Sequence, residues 1–80
     1  DSLAWALYLD GSYKDAYKYA SLAYIKDQDP EIVTHYYKIL LKNGFANKAR
    51  DILEKSLINN PKNTELLKLM DDSTDEAAQL

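Results

Sequence analysis

DPEIVTHYYKILLKNGFANKARDILEKSLINNP, residues 29–61, reads as one helical hairpin punctuated at its start, middle and end. At the start, Asp29 supplies a carboxylate cap, Pro30 occupies the first helical position and Glu31 puts an acid in the first turn. In the middle, Gly44 interrupts the pattern, and a residue without Cβ enters the left-handed conformation that ends a helix at little cost. At the end, Pro61 pushes Asn60 out of the helical region. Between these marks Ile32, Val33, Tyr36, Leu40 and Leu41 recur at three-and-four spacing, the mark of a helix with one buried face. Ala49, Ile52, Leu53, Ser56 and Leu57 do the same from about Ala46 to Asn59.

Moving outward, the same phrase recurs when the sequence is slid along itself. At one offset Gly11 falls on Gly44, Ala16 on Ala49, Ala20 on Leu53, Ala23 on Ser56, Tyr24 on Leu57 and Leu7 on Leu40. The first unit, about 1–29, therefore reads as a helix carrying Leu3, Ala4, Leu7 and Tyr8, a turn at Gly11, and a second helix running to about Lys26. Ser12 is positioned to cap that second helix, with Asp15 near its positive end. Its stripe of small residues, Ala16, Ala20 and Ala23, admits a closely packed neighbour. Tyr13, Tyr17, Tyr24 and Tyr36 fall at packing positions, whereas Lys18 and Tyr19 face outward. A fifth helix is expected over about 63–72 with Leu66, Leu67 and Met70 inward, followed at 73–80 by a short acidic, flexible tail, either a frayed helical extension or disordered.

The 80 residues allow one small domain, 1–70, with a thin core. No apolar run approaches a membrane span, and without cysteine there are no disulfides or thiolate metal sites. Of the formal charge of −3, Asp71, Asp72, Asp75 and Glu76 carry four negative charges, leaving residues 1–70 at +1. A near-neutral body with an acidic end and no continuous basic stripe is a poor match for nucleic acid. His35 is the one histidine and builds no metal site alone, no glycine-rich phosphate loop is present, and no serine sits in a nucleophile motif. The expectation is a protein that is not an enzyme and that takes no metal or cofactor.

These residues resemble the tetratricopeptide repeat family over about residues 1–70. The resemblance rests on Gly11-x-Tyr13-x-x-Ala16 with Ala20 and Ala23, and on Gly44, Ala49, Leu53, Ser56-Leu57 and Pro61. Asp1 to Trp5 and Asp29-Pro30-Glu31-Ile32 are similar to phrases of bacterial members. An unrelated helical bundle with two coincident glycine turns is the alternative. The resemblance implies an all-α, right-handed superhelix of two hairpins, 1–29 and 30–61, closed by a capping helix. The step from Gly11 to Gly44 is one position short of the family's usual repeat of about 34 residues. The deletion is expected in the Lys26–Pro30 turn. Tyr37 stands where Gly or Ala is usual, which puts close packing of adjacent first helices in question.

The resemblance also implies a protein–protein interaction scaffold that holds a peptide or partner protein on its concave face. Carried over by position, the face comprises Trp5, Tyr8 and Leu9, then Glu31, Thr34, His35, Lys38, Leu41 and Lys42, then Glu65, Lys68 and Leu69. Trp5 and Tyr8 either anchor that ligand or fill a seam to an upstream helix. His35, Glu65 and Leu69 differ from the Asn, Lys and Arg with which the chaperone-binding branch grips a terminal carboxylate. The other function weighed is a structural end-cap or self-association module without a ligand of its own. The chain opens on Asp1 rather than Met, and its first helix lacks a cap like the fifth. We therefore expect the C-terminal end of a longer repeat array, marginally stable or dimeric in isolation. The compartment is left open.

Overall fold

A computed structural model describes the backbone of residues 2–79 and the side chains of residues 3–71. Five helices follow one another: α1 Ser2–Leu9, α2 Tyr13–Lys26, α3 Pro30–Lys42, α4 Ala46–Asn59 and α5 Thr64–Gln79. No strand occurs among the described residues. Each helix packs on the next, and α3 also packs on α5. Short turns force consecutive helices to run antiparallel. The Cα positions span 30 × 29 × 17 Å, and the short dimension accommodates two helix layers at the usual spacing of about 8–10 Å. One layer holds α1, α3 and α5, since Trp5 stacks on His35 and α3 meets α5. In the other, Lys48 of α4 donates to the Tyr17 hydroxyl of α2 at 3.2 Å.

The repetition is written into the main chain. In the first turn the amides of Asp10, Gly11 and Ser12 donate to the carbonyls of Ala6, Tyr8 and Leu7 at 3.0, 3.1 and 2.9 Å. In the second, Asn43, Gly44 and Phe45 donate to Ile39, Leu41 and Leu40 at 3.2, 3.1 and 2.9 Å. Both glycines lie at positive φ, +90° for Gly11 and +82° for Gly44, and a Cβ at either would meet nothing within 4 Å. Glycine is required there by backbone conformation, not by space. The offset that aligns the glycines also aligns α2 with α4, Tyr13 falling on Ala46 and Lys26 on Asn59. By contrast, it places Pro30 of α3 on Asn63, one position before α5 begins at Thr64. The slip arises because residues 27–29 make a three-residue turn and residues 60–63 a four-residue one. The short step thus lies inside the Lys26–Pro30 turn.

The expected cap of α3 forms: the Asp29 carboxylate accepts from the Glu31 amide at 3.0 Å, with Pro30 opening the helix. Ser12 stands at the N-cap of α2, yet its side chain makes no capping hydrogen bond. Ala16, Ala20, Ala49 and Leu53 are fully buried, joined by Ala4, Val33, Tyr36, Leu40, Ile52 and Leu66. Ser56 is buried with them, and its hydroxyl has no hydrogen-bond partner. Across the first inter-hairpin seam, Ser21 Oγ and the Tyr36 hydroxyl lie 3.0 Å apart. The Asn43 side-chain amide, through Nδ2, also donates to the Tyr13 carbonyl at 3.0 Å.

Two expectations need correction, and two open questions are answered. Leu41 is 39% exposed, while Ile39, Tyr37 and Thr34 are buried. Since α3 touches α2, α4 and α5, its buried surface is wider than one stripe. Tyr37 is taken into the core, and α3 touches α5 but leaves a cleft between the two helices. On α5 it is Leu69 that is buried and Leu67 that is exposed, because a helix turns by about 100° per residue. Finally, α5 continues past residue 72 to Gln79, so the backbone of most of the expected tail is helical. The side chains of 72–79 and the whole of Leu80 lie outside the described residues.

Candidate functional site

Helix α3 places Glu31, Thr34, His35 and Lys38 on one face, at the three-and-four spacing that aligns side chains along a helix. Helix α5 places Glu65, Lys68 and Leu69 opposite. These seven residues line one cleft of about 570 Å³ between the two helices. Two carboxylates and two ammonium groups share it, so its formal charges balance. The Thr34 hydroxyl donates to the Pro30 carbonyl at 2.8 Å and is held within its own helical turn.

An aromatic stack stands beside the cleft. The Trp5 ring lies on the His35 imidazole with centroids 4.0 Å apart and 12° between planes, and on the Tyr8 ring at 4.7 Å and 11°. Tyr8 reaches Tyr13 at 5.6 Å, and the Lys38 ammonium sits 5.7 Å from the Trp5 ring centroid, within cation–π range. Removal of the imidazole from water lowers the His35 pKa below the ordinary histidine value. The Lys38 charge adds to that effect, while Glu31 and Glu65 oppose it.

Of the residues expected on the concave face, Thr34, His35, Lys38 and Lys68 line the cleft, together with Glu31, Glu65 and Leu69. Trp5 and Tyr8 belong to the adjoining stack rather than to the lining. Leu9, Leu41 and Lys42 are not brought to it. Leu9 and Leu41 are exposed, and the Lys42 ammonium lies 5.8 Å from the Tyr13 ring centroid. No group of histidine, cysteine and carboxylate side chains suited to a metal ion occurs among the described residues.

Two further surfaces leave no signal in the sequence. On the opposite layer, Tyr17, Ser21, Tyr24, Tyr36 and Lys48 line a cleft of about 410 Å³. There the hydrogen bond from Lys48 lowers the Tyr17 pKa and raises its own. Tyr17 and Lys48 come from different hairpins, so no local spacing rule connects them. At the α1 end, Leu3, Tyr19, Leu22 and Ile32 line a mostly apolar cleft of about 430 Å³, with Leu3 and Leu22 each more than half exposed.

No family model, curated protein or solved structure matches the chain. Fold and site therefore define, over the described residues, an all-α protein of five helices with a charged cleft between α3 and α5. No helix among the described residues is long and apolar enough to cross a membrane.

Proposed function

We propose that this chain is a protein–protein interaction module of the tetratricopeptide type. Its hairpins wind as a right-handed superhelix capped by α5, and the α3–α5 cleft holds a segment of a partner protein. The observation that carries this reading is the cleft itself. The seven side chains lining it all come from α3 and α5, at positions the family resemblance assigns to ligand contact. Its volume falls within the roughly 300–1,000 Å³ of ligand-holding clefts. Trp5 is the one tryptophan and stacks on a lining residue, so its fluorescence reports occupancy.

Selection of random dodecapeptides on the immobilised protein tests the proposal. Enriched peptides should change Trp5 emission and lose affinity at least tenfold when His35, Lys38 and Lys68 are replaced together by alanine, with helicity unchanged. If no peptide is enriched, or the triple variant binds as well, the reading fails.

A second reading, an end-cap or self-association module, draws on the exposed Leu3 and Leu22 at the α1 end. Isolated apolar residues are ordinary on a surface, whereas a contiguous cleft of them marks a contact face. Sedimentation across concentration separates the two readings: a strict monomer at high concentration removes self-association.

A further inference from the structure

The charges in the cleft are sorted by sign. Glu31 and Glu65 are each the second residue of their helix. Because α3 and α5 are separated by the antiparallel α4, they run in the same sense, and both carboxylates fall at the same end of the cleft. Lys68 lies one turn further along α5, and Lys38 two turns further along α3. The cleft thus has an acidic end at Glu31 and Glu65 and a basic end at Lys38, with His35 and Lys68 each about one turn from the acidic end. From Glu31 to Lys38 is two helical turns, about 10 Å at a rise of about 1.5 Å per residue. An extended chain covers that distance in about three residues at about 3.3 Å each.

We infer that the cleft selects an extended peptide of opposite polarity, with a Lys or Arg and an Asp or Glu about three residues apart. The cation would lie against Glu31 and Glu65, and the acid against Lys38 and Lys68. This rests on the peptide-binding reading above and specifies its ligand. A uniformly acidic segment would meet two carboxylates, and a uniformly basic one two ammonium groups. Like charges brought together this way cost affinity, so the cleft discriminates by repulsion as well as attraction.

The test uses blocked, tryptophan-free decapeptides with the whole chain, read by Trp5 fluorescence and calorimetry. The panel contains Lys and Glu three residues apart in both orders, the same pair adjacent, two Lys, two Glu, and a neutral peptide. At least one order of the spaced pair should bind fivefold or more tighter than every other pattern and weaken as salt rises. In Glu31→Lys/Glu65→Lys the ranking should invert, with the two-Glu peptide gaining at least tenfold. Equal binding of the spaced, two-Lys and two-Glu peptides overturns the inference, as does an unchanged ranking in the double variant. If library-selected peptides bind the cleft without this pattern, the charge rule falls and the peptide-binding reading stands. If no peptide of any kind binds, both fall.

Discussion

Replacement of Gly44 by alanine separates backbone conformation from packing as the reason for glycine at the hinge. At φ +82° an L-residue pays about 1–2 kcal/mol for the left-handed conformation. No steric cost adds to this, because the new Cβ would meet nothing within 4 Å. Against it, alanine restricts the unfolded chain and returns about 0.4–1 kcal/mol. The net loss is about 1 kcal/mol, which lowers Tm by about 4–8 °C in a domain of this size. Gly11, at +90° in equally open space, should lose the same amount. Asparagine tolerates positive φ better than other side chains, so Gly44→Asn should cost less than Gly44→Ala, and Gly44→Val should cost most. Thermal and urea unfolding followed by circular dichroism measures all four variants. A neutral Gly44→Ala, or an asparagine variant as damaged as the valine one, would refute the conformational account.

Other changes probe the core and the stack. Ser56→Ala removes a buried hydroxyl that has no partner and substitutes a better helix former, so stability should rise by about 1 kcal/mol; a urea midpoint that falls contradicts this. Leu40→Ala empties a fully buried site and should cost about 2–5 kcal/mol in the same assay. Removal from water lowers the His35 pKa in the folded chain below the unfolded value of about 6.5. Its contribution is therefore complete above that value and is lost as pH falls through the lowered folded pKa. Unfolding from pH 7.5 to 5 should show this loss in the native sequence and a flatter profile in His35→Gln.

Local signals carry most of the fold. The Asp29 cap, the two glycine turns and the stop before Pro61 each act within a few residues, and the observed ends of α2 and α4 agree with them. The lining of the cleft follows from the resemblance carried over by position, whereas periodicity shows only that Glu31, Thr34, His35 and Lys38 share a helix face. Leu41 is misplaced because periodicity does not reveal how many neighbours a helix has, and α3 packs on α2, α4 and α5 while also meeting α1 at Trp5. The apolar period stops at Met70 while the backbone stays helical to Gln79, so periodicity alone leaves the end of α5 open. The stack of Trp5 on His35 and the Lys48 contact to Tyr17 each join one hairpin to the other, so neither leaves a local trace.

The two hinges are wired alike although they join different side chains: Ala6 answers to Ile39, Tyr8 to Leu41 and Ser12 to Phe45. Architecture and recognition are therefore separable in this chain. The glycines and peptide groups hold the shape, leaving the outward faces of α1 and α3 at liberty to diverge, one toward aromatic rings and the other toward charge. A chain built this way can rewrite a few exposed letters with no need to fold anew.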